Sequence, residues 1–231
     1  MKINKPLYTG SLTNGLVGAW TFDGPDMAGV TAYDRSGQGN NGTLTNGPTR
    51  GLGQLGQALS FDGVDDVIVA PDASSLEGMS AITISAWVYY KGGESYPRIV
   101  DKDPSTAYAI YIRQSTSVLG AAIVTTGTGG GSSDWYSNEF GLTATVNSWQ
   151  HIVFVWDSAT AQANIYKDSI AGTAQARDGD NVGTNTNFFR IGNSSGSDRS
   201  FNGLIDEVRI YNRALGADEI KRLYRIGATL K

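Results

Sequence analysis

The fold of this protein is decided by the stretch Phe201-Asn202-Gly203-Leu204-Ile205-Asp206-Glu207-Val208-Arg209-Ile210-Tyr211-Asn212-Arg213-Ala214-Leu215, close to the C-terminal end. The alternation within it predicts a strand from Gly203 to Tyr211. One face of that strand is expected to carry Leu204, Asp206, Val208 and Ile210. A carboxylate that shares a face with apolar side chains is costly to bury unless it is paired or binds a metal ion. Asp206 is therefore the first candidate for a functional site.

A second stretch, far upstream, ends in a similar way. Residues 16–23 read Leu-Val-Gly-Ala-Trp-Thr-Phe-Asp, so a predicted strand again runs toward an aspartate, Asp23. We expect the two stretches to form neighbouring strands at the two ends of the chain, with Asp23 and Asp206 sharing one cation.

The composition bounds the class of protein. The chain has 231 residues, of which 30 are glycine and only 17% are charged, a mix that favours short strands joined by tight turns. The formal charge of −4 argues against a nucleic-acid partner or an anionic membrane. No apolar run is long enough to predict a membrane span, and the absence of cysteine excludes disulfides and thiolate zinc sites.

The order of turn signals predicts an all-β protein, a two-sheet antiparallel sandwich or jelly roll with one short C-terminal helix. Residues 1–15 are expected to form an irregular lead-in, and residues 16–231 a single domain. Strands are predicted over residues 16–22, 57–63, 65–69, 81–90, 97–102, 107–113, 118–125, 150–157, 162–168, 187–192 and 203–211. The helix is predicted from Ala217 to Ile226, with Gly216 as N-cap and Gly227 as the C-terminal stop.

Several blocks of the sequence, taken in order, resemble the laminin-G-like domains of the concanavalin A-like lectin/glucanase superfamily. They cover about residues 16–226, and they are Trp20-Thr21-Phe22-Asp23, residues 34–42 (DRSGQGNNG), residues 58–63 (ALSFDG), residues 84–88 (ISAWV), residues 149–153 (WQHIV), residues 165–168 (IYKD) and residues 203–215. The resemblance implies a jelly roll of two curved antiparallel sheets. The sequence departs from the family at Ser169, where a glycine usually follows the aspartate, so a different hairpin is expected there.

The resemblance also implies a structural calcium ion. Calcium prefers six to eight oxygen ligands from carboxylates, amides and carbonyls. By resemblance, the side chains of Asp23, Asn41 and Asp206 and the carbonyl of Gly39 are the expected ligands, and the ion would fasten the first strand to the last. The alternative is that Asp23 and Asp206 accept backbone hydrogen bonds or cap turns.

Two matches to known sequence motifs lack the secondary structure that each motif requires. Residues 51–56 (GLGQLG) fit the dinucleotide pattern G-x-G-x-x-G, but a strand follows them where that motif needs a helix. Residues 192–196 (GNSSG) fit the G-x-S-x-G nucleophile elbow, but a loop follows. The only histidine, His151, lies in a predicted strand and is expected to be structural. The Glu-x-Asp-x-x-Glu strand of the superfamily's glucanases is absent.

Aromatic residues on polar loops are the candidates for ligand binding, because sugars stack on aromatic faces. Two loops have this composition, residues 89–96 and residues 127–140. From them we expect Tyr90, Tyr96, Trp135 and Tyr136 to contact a ligand. Trp135 and Tyr136 are equally compatible with packing on the sheet. Trp20, Trp87, Trp149 and Trp156 are expected in the core because of their strand context.

Members of the family are mostly binding modules of secreted enzymes or adhesins. The sequence is therefore interpreted as a non-catalytic, calcium-stabilised carbohydrate-binding or adhesion module, extracellular or at the cell surface, a monomer or part of a larger protein. A glycoside hydrolase or polysaccharide lyase on the same fold is the alternative, since fold does not determine function. Tyr108, Tyr111, Arg113 and Glu139 would be its first candidate residues. A purely structural protein–protein interaction domain is the third possibility.

Overall fold

The computed structural model describes residues 10–93, 96–103, 105–113, 116–126, 134–136, 140–176 and 179–228. The strands in chain order are β1 Leu16–Trp20, β2 Met27–Ala28, β3 Thr31–Ala32, β4 Gly42–Thr45, β5 Thr49–Leu52, β6 Gln57–Asp62, β7 Val67–Ala70, β8 Ala81–Tyr90, β9 Arg98–Lys102, β10 Tyr108–Arg113, β11 Val118–Ile123, β12 Asp134–Tyr136, β13 Trp149–Asp157, β14 Gln162–Lys167, β15 Ile170–Ala171, β16 Gln175–Ala176, β17 Phe189–Ile191 and β18 Asn202–Tyr211. One α-helix, α1, spans Ala217–Ala228. Short 3-10 turns lie at Gly10–Thr13, Gly24–Asp26 and Ser74–Leu76.

These strands form two sheets that pack as a sandwich, which confirms the predicted fold class. Sheet A has the order β15-β14-β13-β8-β18-β6-β5, with β1 also paired to β18 and β16 to β14. Sheet B has the order β12-β11-β10-β9-β17-β7-β4-β3-β2. Every strand pair described is antiparallel. The neighbouring positions of β1 and β18 confirm the expected meeting of the two ends of the chain.

The main core lies between the two sheets. Strand β8 illustrates how the core forms, because every second side chain of the strand points inward. These side chains are at most 1% exposed, and they are Ile82, Ile84, Ala86 and Val88. Rings from opposite sheets meet there, with Trp20 of β1 stacked on Phe189 of β17 at a centroid distance of 5.1 Å. Trp20 and Trp156 are core residues as predicted.

A second, smaller core lies on the outer face of sheet A, beneath α1. It contains Leu12, Leu16, Ala19, Val153, Tyr211, Leu215, Ile220 and Leu223. The helix is amphipathic, so its apolar side covers this face while its charged side meets solvent. The N-terminal lead-in contributes as well, because Leu12, within the 3-10 turn Gly10–Thr13, is only 1% exposed.

The beginning of α1 is stabilised by hydrogen bonds to the carboxylate of Glu219. The Gly216 N–H donates to Glu219 Oε2 at 3.2 Å, which is one half of a capping box, and the Glu219 carboxylate also accepts two hydrogen bonds from Arg213 at 2.8 Å each. The predicted stop at Gly227 is wrong, since the helix continues to Ala228. A Cβ on Gly227 would lie 2.5 Å from the ring of Trp87. Glycine is needed there because the helix approaches Trp87 closely.

The strands differ from their predicted limits where the backbone leaves the extended region. Strand β1 ends at Trp20, since Phe22 adopts a positive φ of 59°. The short strands β2, β3 and β5 were not predicted, because strands of two to four residues carry little periodic pattern. Within the part of the chain that the structure describes, α1 is too short and too polar to cross a membrane, and no other helix qualifies.

Candidate functional site

Asp206 does not lie on the face that its sequence context predicts. A β-bulge interrupts the pairing of β18 with β8 between Asp206 and Arg209, and Glu207 within it has a φ of 53°. Ile205, Val208 and Ile210 therefore point into the main core. Asp206 lies opposite Trp87, on the outer face of sheet A, where it is fully buried. Its predicted burial is confirmed, but its alignment with Val208 and Ile210 is wrong.

Asp23 and Asp206 hold the same turn, the one that joins β5 to β6. Asp206 Oδ2 accepts the Leu55 N–H at 2.9 Å, and Asp23 Oδ1 accepts the Gln57 N–H at 2.9 Å. Side chains on Gly53 and Gly56 would collide with these two carboxylates. The glycines of the G-x-G-x-x-G match therefore let acidic side chains reach a hairpin backbone, and no helix follows them.

The other two predicted calcium ligands lie in a separate hydrogen-bond network, organised by Asp34. Asp34 Oδ1 accepts the N–H groups of Ala19 and Ser36, and Oδ2 accepts the Asn40 N–H and the Ser36 hydroxyl, all within 2.7–2.9 Å. Asn41 Oδ1 accepts the Asp34 N–H, and the Gly39 carbonyl accepts the Asn41 N–H. Sequence reasoning missed Asp34, although Asp-x-Ser within a run of turn-forming residues is a signal for such a bond.

Each of the four groups proposed as a calcium ligand thus accepts a backbone hydrogen bond through one oxygen atom. Two are engaged with the turn at residues 53–57, and two lie within the turn at residues 34–41. The donor types suit calcium. Hydrogen bonds from backbone N–H groups already connect these segments, which is the role that the ion was expected to have. The calcium ion therefore remains a prediction.

Among the described residues, one group of three acids brings its carboxylates together, Asp62, Asp65 and Asp66 at the β6–β7 turn. Asp66 Oδ2 accepts the Asp62 N–H, and Asp62 Oδ1 accepts the Val64 N–H. Burial, and then the neighbouring charges of Asp62 and Asp65, raise the pKa of Asp66. These bonds shape the turn itself.

A group of tyrosine and arginine side chains converges on the outer face of sheet B. We call Tyr96, Arg98, Asp101, Tyr111 and Arg199 the tyrosine–arginine cluster. The Tyr96 and Tyr111 rings meet edge to face at 5.8 Å. Arg98 lies over the Tyr111 ring at 5.1 Å, and Arg199 lies over the Tyr96 ring at 5.5 Å. Such contacts hold aromatic faces at fixed angles.

The interior of this cluster is buried and its rim is accessible. Arg98, Asp101 and Tyr111 are at most 4% exposed, and Arg98 Nε donates to Asp101 Oδ2 at 3.0 Å. Burial raises the pKa of Asp101, which the backbone N–H of Asp103 and the charge of Arg98 offset only in part. Tyr96 and Arg199 are partly exposed. A ligand would meet these two side chains first.

Two local features of the sequence create the cluster. A bulge at Ile99 brings Arg98 opposite Tyr111, so that both lie on the outer face. Gly120, opposite Tyr111 on β11, leaves room for the ring, since a Cβ there would lie 2.5 Å from it. Sequence reasoning named Tyr96 and Tyr111 but missed Arg98, Asp101 and Arg199.

The other residues that were expected to contact a ligand lie in different environments. Tyr90 is 1% exposed and packs against Phe201 in the main core, so its side chain does not reach the surface. The backbone of Trp135 and Tyr136 pairs with Ala122 and Ala121 of β11, which places both at the edge of sheet B. Their side chains, like Glu139, lie outside the described residues. Trp149 is only partly buried, unlike a core residue.

Among the residues that the structure describes, those considered for catalysis lie in separate parts of the molecule. Ser194 Oγ donates to Asp198 at 2.8 Å and belongs to the loop after β17 in sheet B. His151 is fully buried on the outer face of sheet A, with its Nε2 2.8 Å from Ser85 Oγ. Tyr108 points into the core, where its hydroxyl donates to the Leu76 carbonyl. Of the three described candidates for the enzyme alternative, Tyr111 lies in the tyrosine–arginine cluster, and Arg113 ends the same strand.

Comparison with known proteins places this architecture in a family. A model of the concanavalin A-like lectin/glucanases superfamily matches residues 62–221, which confirms the laminin-G-like resemblance. No curated protein sequence matches the chain significantly.

Solved structures of similar fold include domain 4 of AbnA, an extracellular arabinanase of family GH43 from Geobacillus stearothermophilus, in complex with arabinotriose. It is 23% identical, with a TM-score of 0.69 and coverage of 90% of this chain and 98% of that one. The binding domain of Paraclostridial Mosquitocidal Protein 1 is 15% identical with a TM-score of 0.70, covering 92% and 52%.

The ligand binding domain of botulinum neurotoxin serotype D, in complex with N-acetylneuraminic acid, is 14% identical with a TM-score of 0.65, covering 92% and 51%. This chain therefore spans about half the length of the toxin binding domains that it matches. At these identities the likeness concerns the fold. The family match covers most of the chain, and the protein belongs to the concanavalin A-like lectin/glucanases superfamily.

Proposed function

We propose that this protein is a non-catalytic carbohydrate-binding module whose ligand surface is the tyrosine–arginine cluster. The observation that carries the proposal is the convergence of Tyr96, Tyr111 and Arg199 on one sheet face, with Arg98 and Asp101 fixing Tyr111 from below. The family and the sugar complexes of two proteins of similar fold support it. An extracellular or cell-surface location is part of the same proposal.

The chemistry of the cluster suits a sugar ring. An aromatic face packs against the C–H surface of a pyranose or furanose, and guanidinium N–H groups donate to hydroxyl or carboxylate oxygens. The buried part of the cluster is already ordered, so binding would lose little side-chain entropy there. Tyr96 and Arg199 would supply the contacts, and Arg98 with Asp101 would position Tyr111.

Calorimetric titration with a panel of oligosaccharides tests the proposal. The panel contains arabinotriose, other neutral oligosaccharides and sialylated glycans, so that it separates neutral from anionic ligands. Tyr96→Ala and Arg199→Ala should each weaken binding about tenfold or more, a loss of ~1.4 kcal/mol. Tyr33 and Arg35 form a similar pair at 5.6 Å in the segment that follows β3, so Tyr33→Ala is the matched control.

Three results would count against this proposal. Binding that is unchanged in Tyr96→Ala and Arg199→Ala would move the ligand elsewhere on the molecule. A panel without any binder would favour the protein–protein interaction domain. Release of shorter sugars during incubation would instead support the glycoside hydrolase or lyase alternative.

We further propose that a calcium ion stabilises the junction of β1 and β18, with Asp23, Asn41, Asp206 and the Gly39 carbonyl as its ligands. Support comes from the oxygen character of these groups and from the position of Asp23 and Asp206 on one turn. An ion that binds only the folded state raises the melting temperature by mass action. Calcium should raise the melting temperature of chelator-stripped protein, and Asp23→Asn or Asp206→Asn should abolish the rise.

Asp62→Asn is the control, because it alters the acidic turn at β6–β7 and should leave the calcium effect intact. Melting curves that coincide in chelator and in calcium would rule out the ion. A calcium effect that disappears only in Asp62→Asn would transfer the site to that turn.

A further inference from the structure

A cleft opens between the C-terminal end of α1 and the outer face of sheet A, remote from the tyrosine–arginine cluster on sheet B. Its volume is about 120 Å³, and it is lined by Gln54, Trp87, Trp149, Asp168, Tyr224 and Ala228. At ~30 Å³ for each water molecule, the cleft has room for a group the size of about four waters. Half of its lining residues are aromatic.

The aromatic rings of the cleft are held in place by their neighbours. Tyr224 of α1 is stacked on Trp87 of β8 at 5.7 Å and 22°, a contact that Gly227 permits by letting the helix approach closely. Trp149 of β13 packs edge to face against Tyr89 at 5.8 Å. Trp149 and Tyr224 are partly exposed, so their rings remain accessible from the cleft.

The charges around the cleft are negative. Asp168 is the only carboxylate or basic residue among the six lining residues, and its Oδ1 accepts the His151 backbone N–H at 2.8 Å. Ala228 is the last residue of α1, so the negative end of the helix dipole meets the cleft. Asp206, opposite Trp87, is a second carboxylate nearby and is fully buried.

Among the described residues, the cations near the cleft are either ion-paired or exposed on α1 outside its lining. Arg209, the cation close to His151, forms an ion pair with Glu207. His151 itself is neutral at physiological pH, because burial, and then the charge of Arg209, lower its pKa to about 3. Lys221, Arg222 and Arg225 are exposed on α1 and do not line the cleft. A cation entering the cleft would meet aromatic faces, a carboxylate and helix carbonyls.

We propose that this cleft is a binding site for an organic ammonium group, held between the rings of Trp149 and Tyr224 with Asp168 as its counter-ion. Aromatic rings attract cations through their negative faces, most strongly where water is excluded. Two sources share this chemistry, a quaternary ammonium headgroup and the amine of an amino sugar. The site is independent of the proposed glycan surface, since the two lie on different sheets.

Paired ligands that differ in charge test the proposal. Choline is titrated against its neutral carbon analogue 3,3-dimethylbutan-1-ol, and glucosamine against glucose, while the indole N–H resonances of Trp87 and Trp149 are followed by NMR. Choline or glucosamine should shift these resonances in a saturable way that weakens with added salt, and the neutral analogue of each should bind at least about tenfold more weakly. The choline and glucosamine arms identify the source of the ammonium group.

Isosteric variants then assign the counter-ion. Asp168→Asn keeps an oxygen for the His151 N–H but removes the charge, and should weaken binding of the cation about tenfold. Asp157→Asn is the matched control, because Asp157 ends β13, the strand that contains His151, and likewise accepts a backbone N–H, that of Ala159, at 3.0 Å. Trp149→Leu should abolish binding, and the circular dichroism spectrum of each variant reports its folding.

Three outcomes would overturn the inference. The first is the absence of any saturable shift with both cations. The second is equal binding of the neutral analogues, which would identify an apolar or a sugar-ring site. The third is equal loss in Asp168→Asn and Asp157→Asn. Each of these leaves glycan binding by Tyr96 and Arg199 untouched, so failure here is distinguishable from failure of the proposed function.

Discussion

The Nε2 atom of His151 lies 2.8 Å from Ser85 Oγ, and both residues are fully buried beneath helix α1. A serine so close to a histidine resembles a catalytic pair, but neither residue is accessible to a substrate. The imidazole is also unsuited to act as a base near neutral pH. Burial, followed by the charge of Arg209, lowers its pKa to about 3. The pair is therefore part of the packing between sheet A and the helix.

This low pKa predicts that stability depends on pH below neutrality. In the unfolded chain the imidazole takes up a proton near pH 6.5, whereas in the folded protein it does so only near pH 3. The unfolded state therefore binds more protons between these values, and this contribution to the free energy of unfolding should fall as the pH falls from about 6.5 to about 3. NMR of the single histidine checks the cause directly. Titration of its ring near pH 6.5 in the folded protein would contradict the prediction.

The Glu219 carboxylate should stabilise the fold in a different pH window. Its hydrogen bonds from Arg213 are the largest of the causes that lower its pKa from 4.5 to about 2. A lowered carboxylate pKa contributes stability that is present above pH 4.5 and is lost as the pH falls toward 2. Glu219→Gln should therefore melt below the wild type at pH 7, and the difference should vanish near pH 2. A difference that stays constant over this range would show that charge is not its origin.

Gly227→Ala should destabilise the protein, although alanine is the better helix former. The intrinsic gain is about 1 kcal/mol, while forcing a methyl group against the Trp87 ring costs about 1–3 kcal/mol. Denaturant unfolding of the variant measures the balance. In a Trp87→Leu background the same substitution should become neutral or stabilising, because the obstructing ring is gone. A penalty that persists in that background would refute the steric explanation.

Ser169→Gly should stabilise the hairpin between β14 and β15. Asp168 and Ser169 form a two-residue turn with φ values of 51° and 65°, both in the left-handed region. The departure from the family at Ser169 thus falls at the second residue of a tight turn, where a side chain is held at a left-handed φ. Glycine should add up to about 1 kcal/mol to the free energy of unfolding. Ser169→Ala is the control and should bring no such gain, so equal effects of the two substitutions would contradict the prediction.

The two-sheet fold was predictable because it rests on local periodicity. Strands such as β8 and β13 alternate over nine or ten residues, and that pattern allows an extended strand with one apolar face. The ordered blocks of the laminin-G-like resemblance supplied the arrangement of these strands. Tyr96 and Tyr111 could be named as candidate residues, since aromatic side chains on polar loops and strand ends are visible without coordinates.

The faces on which the key side chains lie could not be predicted. One extra residue in β18, at Glu207, moves Asp206 from the expected core face to the outer face, and one in β9, at Ile99, brings Arg98 opposite Tyr111. Such bulges leave little trace in composition, because the partner strand decides where the extra residue is accommodated. The position of Tyr96 in the sequence likewise gives no indication of its contact with Arg199.

The sequence by itself therefore determined the longer strands, the helix, the fold class and the family, because each follows from short-range patterns of residues. Only the tertiary structure decided which polar side chains meet, from the Asp23 and Asp206 turn to the cleft between Trp149 and Tyr224. The physical reason is that burial alternates along a strand, so the two-residue alternation of apolar and polar side chains can be read from the sequence. A contact between residues on different strands depends instead on sheet register, which a single bulge can change.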